Sequence, residues 1–153
     1  MAAGVEPTFF LGEFEHTLDS QRRVAIPAGW RGCSRFVLLP SKDHSIQMMT
    51  VDTFREMVLD KTKKLSLGNV EDARNLARLG SRAQECVCDK QGRIQLSQQL
   101  AAHAGLKDKV ALVGSVSMIL LYPPEVWNAM RDGDGGDAGS CYDIFDKLDP
   151  EGR

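Results

Sequence analysis

The sequence predicts an α+β protein built from two tandem copies of one small β-rich unit, and three observations carry that reading. Residues 14–27 lie over residues 84–97 at a fixed offset of 70, with Asp19 on Asp89, Arg23 on Arg93 and the flanking apolar positions in step. A second block, residues 45–49 followed by Thr53 and Phe54, matches residues 117–121 followed by Glu125 and Val126 at an offset of 72. Self-similarity of this kind identifies a repeated supersecondary unit. In both copies, alternating apolar positions precede a stretch with helical spacing, so strands come first and helices follow.

In the first copy, Phe14, His16 and Leu18 alternate with Glu13, Glu15 and Thr17, the period of a half-buried strand, and Val24 and Ile26 resume beyond a tight turn. This predicts a hairpin. From Asp52 to Leu65, Phe54, Met57, Val58, Lys61 and Leu65 recur at helical spacing. Asn69-Val70-Glu71-Asp72 reads as the capped start of a second helix ending at Gly80. In the second copy, Ser97 is an N-cap for a short helix over residues 98–103 stopped by Gly105, and the run Val110 to Val113 is a strand. Pro123-Pro124 ends the last strand and opens a helix through Trp127 and Met130, because proline is tolerated in a first helical turn. The predicted organisation is a first hairpin unit over 10–58, a helical connector over 59–82, a second hairpin unit over 83–130, and an acidic tail over 131–153 read as disordered from its Gly/Asp composition.

At 153 residues, 42% of them apolar, the chain can bury a sizeable core. Its apolar runs are too short to cross a bilayer, and the N-terminus carries acids where a secretory leader needs bases, so a cytoplasmic protein with no membrane partner is expected. Four cysteines, Cys33, Cys86, Cys88 and Cys141, are too sparse for a disulfide framework. The formal net charge of −2 conceals an uneven distribution. From Arg131 onward acids outnumber bases by four, which leaves the preceding residues mildly basic, with local concentrations at 17–35 and 61–82. Phosphate binding is therefore compatible with the acidic sum.

The shared signature is Asp-x-x-x-Arg at each predicted hairpin tip, Asp19 to Arg23 and Asp89 to Arg93. An aspartate at a turn start can accept backbone N–H groups further along and so order the tip. Gly92 supplies the positive φ that such a tip often needs. An arginine held at the end of the turn can clamp a carboxylate inside the fold or grip phosphate and guanine edges; the residues alone leave both roles open.

These residues resemble the MraZ family, regulators of the bacterial division and cell-wall gene cluster within the AbrB-like swapped-hairpin superfamily. The resemblance spans about residues 10–130 and is carried by Glu15 to Pro27, Cys86, Asp89 to Ile94, His103 to Leu106 and Val110 to Gly114. It implies tandem SpoVT-AbrB-like units whose interlocked hairpins form a small pseudo-symmetric barrel. It also implies a ring-shaped homo-oligomer in the cytoplasm and nucleoid, and repression through double-stranded DNA at direct repeats in a promoter. The family's DNA-contacting arginine falls on Arg23. Gln21, Arg22 and Arg93 are the further candidate contacts, and Asp19, Asp89 and Gly92 the residues that build the turns. The family pattern has glycine where Arg22 stands. Retaining the turn requires Arg22 to adopt φ > 0 at a cost on the order of 1 kcal/mol, either as a tolerated drift or in exchange for a phosphate contact.

Other readings are weaker. Cys86-Val87-Cys88 lacks a second ligand pair and reads as small core hydrophobes on the inward face of a strand. His16 and His103 read as scaffold, and residues 132–137 lack the glycine at the sixth position of a calcium loop. No nucleophile–base pair or phosphate-binding glycine loop points to an enzyme, and no metal, cofactor or small-molecule substrate is expected. The alternative function is a ring-forming protein-interaction module with weakened or lost DNA binding. The tail is expected to be a solubilising extension, with competition against DNA for the basic tips as the sharper alternative.

Overall fold

Alternation along the strands sets the architecture, because each strand must send one set of side chains into a core. The structure, a computed structural model, describes residues 9–32, 35–65 and 68–133 together with Ile144 and Leu148. Cys33, Cys141 and most of the acidic tail, including most of the 132–137 stretch, lie outside the described residues. The strands are β1 (Glu13–Thr17), β2 (Arg23–Ala25), β3 (Arg35–Pro40), β4 (Ile46–Thr50), β5 (Gln84–Val87), β6 (Arg93–Gln95), β7 (Lys109–Gly114) and β8 (Ile119–Tyr122). Six form one antiparallel sheet in the order β1-β7-β8-β4-β3-β5, and β2 and β6 form a two-stranded ribbon. That order is symmetric under the repeat: β1 corresponds to β5, β7 to β3 and β8 to β4, so a pseudo-dyad runs between β8 and β4.

The predicted hairpin is corrected in one respect. β1 does not pair with β2; it pairs with β7 of the other copy, Glu13 opposite Val113 through Thr17 opposite Lys109, and β2 pairs with β6, Val24 opposite Ile94. Only the bridge between Leu18 and Val24 remains of a local ladder. The chain makes the turn that the sequence predicts, and both arms then find partners in the other copy. This is the interlocked-hairpin arrangement that the resemblance implies. β1 also ends up at a sheet edge, which is why Phe14 is 41% exposed rather than half-buried.

The ribbon sends Val24, Ile26, Ile94 and Leu96 into the main core, where they meet Phe36, Leu38, Ile46, Met48, Leu112 and Ile119. Burying side chains of this size stabilises by roughly 1.5–3 kcal/mol each, so the ribbon is a structural lid over the sheet. The opposite face of β3 and β4 carries Val37, Leu39 and Met49, packed with Phe54, Met57 and Leu79. Burial on both faces explains the unbroken apolar run in β3. Cys86 belongs to the main core and Cys88 packs against it. Burial pushes the Cys86 thiol up to about 12 and raises that of Cys88, so both are neutral near pH 7.

The helices follow their caps. Thr50 accepts from the Thr53 amide at the start of α1 (Val51–Phe54), which continues through a π-helical turn over Arg55–Leu59 into α2 (Asp60–Thr62). Asn69 caps α3 (Val70–Arg82), which passes Gly80 and ends two residues later than predicted. A glycine lowers helix propensity by about 1 kcal/mol, too little to end a helix that has tertiary support. Ser97 caps α4 (Gln98–Ala104), and Gly105 closes it in the left-handed region at φ 66°. The unit from Pro124 onward contains α5 (Pro124–Asp132), with Ile144 and Leu148 exposed. No described helix is long and apolar enough to cross a membrane.

Gly114 ends β7 against the backbone of Phe10, and a Cβ there would collide with the Phe10 carbonyl. The Gly114 amide donates to the Gly12 carbonyl at 2.8 Å, so residues 10–12 lie directly along this strand end. Gly114→Ala is expected to displace that segment and lower stability by about 1–3 kcal/mol. Urea unfolding checks this, and an unchanged midpoint would contradict the close approach.

Candidate nucleic-acid interface

Each tip is stiffened by its aspartate. Asp19 Oδ1 accepts from the amides of Gln21 (2.9 Å) and Arg23 (2.8 Å), while Oδ2 accepts from Arg23 Nε at 2.8 Å. The second tip repeats this: Asp89 Oδ1 accepts from the amides of Gln91 and Arg93, both at 2.9 Å, and Oδ2 from Arg93 Nε at 3.0 Å. Backbone bonds close both turns, Arg22 N to Asp19 O and Gly92 N to Asp89 O, each 2.9 Å. The Arg23 amide, ahead of its guanidinium and the Gln21 amide, holds the Asp19 carboxyl below the ordinary carboxylate value; the Arg93 amide does the same for Asp89. Both carboxylates are therefore ionised at neutral pH.

The antiparallel ribbon fixes where the arginines stand. Arg23 pairs with Gln95 and Ala25 with Arg93, while the buried Val24 and Ile94 point the other way. Period-2 alternation then places Arg23, Ala25, Arg93 and Gln95 together on the outer face, with the two tips at opposite ends. This face borders an open depression of about 420 Å³ lined by Glu15, His16, Asp19, Arg23 and Arg93 among others. Arg93 Nη1 lies 4.0 Å from Asp19 Oδ2, so the first tip's carboxylate faces both arginines. The clamp role left open by the sequence is thus realised by both, through Nε. Their side chains stay about a third exposed, 33% for Arg23 and 29% for Arg93. With Arg22 and Lys90, the tips bring four cations against Asp19 and Asp89.

Arg22 adopts φ 61°, as the retained turn requires, and Gly92 adopts 77°. The Arg22 guanidinium has a specific partner: its Nε donates to the Leu96 carbonyl at 3.0 Å. At the pseudo-equivalent place, Arg31 Nε donates to the Ile26 carbonyl at 2.6 Å. Arg31 lies across Gly92, where any Cβ would strike its guanidinium. Each carbonyl that precedes the turn into a short helix is therefore capped by an arginine, from the tip itself in one half and from a neighbouring segment in the other. Sequence reasoning missed Arg31, because it reaches Gly92 across sixty-one positions without any motif.

Glutamines also missed from sequence tie the first tip to α4. Gln95 Nε2 donates to the Gln21 carbonyl at 2.9 Å, Gln84 Nε2 donates to the Gln95 carbonyl at 2.7 Å, and Gln84 Oε1 accepts from the Ser97 amide at 2.9 Å. His16 and His103 serve as scaffold: His16 Nδ1 bonds the Ala25 carbonyl at 2.6 Å, and His103 Nε2 bonds the Ser41 carbonyl at 2.9 Å.

The arrangement of the caps predicts a rescue. Gly92→Arg alone should cost on the order of 1–2 kcal/mol, from forced positive φ and displacement of Arg31. Adding Arg31→Ala should recover part of that loss, because the introduced guanidinium can reach the Ile26 carbonyl as Arg22 reaches that of Leu96. Denaturant unfolding of both variants decides it; a double variant less stable than the single one contradicts the equivalence.

Comparison with known proteins follows the same residues. A family model described as "MraZ protein, putative antitoxin-like" matches residues 79–134. A protein of Alkaliphilus metalliredigens, named "Transcriptional regulator MraZ", is 34% identical over 137 residues, covering 88% of this chain and 92% of that protein. Proteins with the same name from Carboxydothermus hydrogenoformans (34% identical; 81% of this chain, 87% of that protein) and Caldanaerobacter subterraneus (35%; 76% and 82%) are similarly related.

Proposed function

The chain belongs to the MraZ family, and from that premise we propose that it is a transcriptional regulator that binds double-stranded DNA through its hairpin tips. The observation that carries the proposal is the pre-stiffened tip of the first copy. Arg23 is held by Asp19 at one end of an outward-facing ribbon whose other side is locked into the core. Such a side chain loses little freedom on binding, and its planar donors suit phosphate or a guanine edge. Gln21 and Arg22 supply neighbouring donors, and Arg93 a further cation at the other end. Asp19, Asp89 and Gly92 build the turns. The working units are the hairpin units over 10–58 and 83–130, the connector over 59–82 and the tail over 131–153.

One tip buries too little surface for a tight complex. Several copies in a homo-oligomeric ring, each engaging one of a series of direct repeats, would reach useful affinity by avidity. The target in this reading is the promoter of the chain's own division and cell-wall cluster, the usual outcome is repression, and the site of action is the nucleoid. No catalysis is involved.

Arg23→Ala is expected to weaken binding to repeats upstream of the coding sequence by about 1–3 kcal/mol per engaged copy, with a smaller effect on unrelated duplexes. Electrophoretic shift at fixed salt measures both. Undiminished binding would leave Arg23 as a turn clamp alone and favour the protein-interaction reading, which the internal pairing of both arginines already supports in part.

A further inference from the structure

Away from the ribbon, a groove runs between α3, α4 and the turn after β3. Two contiguous depressions, of about 220 and 310 Å³, share Pro40, Arg82 and His103. The rim carries Lys42, Arg78 and Arg82, all exposed, and no carboxylate lines either depression. Pro40, Leu79 and Leu100 supply apolar lining. Among the described residues, none of the three cations takes part in an ion pair; Arg78 Nη1 donates to the neutral Asn75 amide oxygen at 2.9 Å. The nearest acid in sequence, Asp43, is held ionised by hydroxyl donors and does not line the groove. It accepts from Ser45 Oγ at 2.6 Å and from the Tyr122 hydroxyl at 2.9 Å. Three cations without an ion pair among the described residues, around a concavity that no acid lines, give it a locally positive field.

The groove is mechanically continuous with the first tip. The amide chain from Gln21 through Gln95 and Gln84 ends on Ser97, the N-cap of α4, and Arg22 caps the adjacent Leu96 carbonyl. Gln99, Leu100 and His103 of α4 line the groove, and Arg82 lies two residues before Gln84. At 1.5 Å per residue, α4 carries the groove only about 10 Å along its axis from that cap. Arg78 and Arg82, one helical turn apart, stand about 5–6 Å from each other. A DNA backbone presents one charge per about 1.7 Å of axis, so both can be engaged at once.

We propose that this groove is a second, sequence-independent phosphate-binding site, in which Arg78, Arg82 and Lys42 hold the backbone of the same duplex whose bases or phosphates meet the first tip. The inference rests on the DNA-binding reading given above. It assigns the two regions different work: the tip reads, and the groove adds affinity and register. The copies are not equivalent in this respect. Position for position, the other half places Trp30 opposite Leu100, and the buried Phe10 packs edge-on against that indole.

Fluorescence anisotropy of the full-length chain tests this, using one labelled duplex bearing the upstream repeats and one with scrambled sequence, over a salt series. Arg78→Gln with Arg82→Gln should weaken both duplexes by the same factor, about tenfold at low salt, and make the log–log salt slope shallower by about 2. The corresponding double lysine variant should restore the slope. Both arginines are exposed, so thermal unfolding of the glutamine variant should match that of the unaltered chain. Unchanged affinity and slope overturn the proposal. Binding of poly-glutamate that the glutamine variant loses while duplex affinity is kept would overturn it too, assigning the groove to an acidic protein partner. Failure of the unaltered chain to bind either duplex removes the DNA-binding reading itself, and is seen before any variant is compared.

Discussion

The two copies are tied across the ribbon by a pair of backbone hydrogen bonds, Leu96 N to the Arg22 carbonyl and Ile26 N to the Gly92 carbonyl, both 2.8 Å. Each joins the tip of one copy to the strand exit of the other, and together they extend the three-residue ribbon on both sides. A two-stranded ribbon of this length has no independent stability in water. It persists because Val24, Ile26, Ile94 and Leu96 are drawn into the core beneath it, so the burial that closes the fold is also what points the outer residues away from it. Position and exposure of Arg23 are thus consequences of core packing, not of local loop preference.

Within that frame the departure at Arg22 acquires a physical reason. A non-glycine residue at positive φ is strained, and the strain persists only where the surroundings hold it. Here the surroundings include the Leu96 carbonyl, which Arg22 caps, while the position matching Arg31 in this half is Ala101. One residue here both takes the positive φ and supplies the guanidinium cap. It also means that the Nε of Arg22 is occupied in the folded chain, so any phosphate contact by this residue would use its terminal nitrogens.

Much of this was legible in the sequence because the repeat is. The Asp-x-x-x-Arg pairs, the offset of 70 and the positive φ at Gly92 and Arg22 follow from turn chemistry, which is local. The existence of α3 and α4 was readable from Asn69 and Ser97 as caps. What periodicity and capping by themselves do not give is which distant partner each element meets. Period-2 patterning says that a strand has two faces, but not which strand lies beside it, so alternation alone predicts a β1–β2 hairpin where β1 pairs with β7. Phe14 then lies at an edge instead of in a half-buried strand. Arg31 over Gly92, and the glutamine chain from Gln21 to Ser97, depend on the same cross-copy geometry and leave no motif. Among the basic residues of 61–82, composition alone could not single out Arg78 and Arg82, because only the packing of α3 beside α4 brings them to one rim.

The exchange of strands also bears on how the chain is made. Glu13 pairs with Val113, and Phe36 with Cys86, so the first copy cannot complete either of its outer ladders until the second has been synthesised. Contacts so distant in sequence slow folding, and during translation the edges of β1 and β3 stay open to whatever strand arrives first. The charges that the first copy itself carries on these strands, Glu13 and Glu15 on β1 and Arg35 on β3, oppose pairing of the open edges with a stray strand before the second copy arrives.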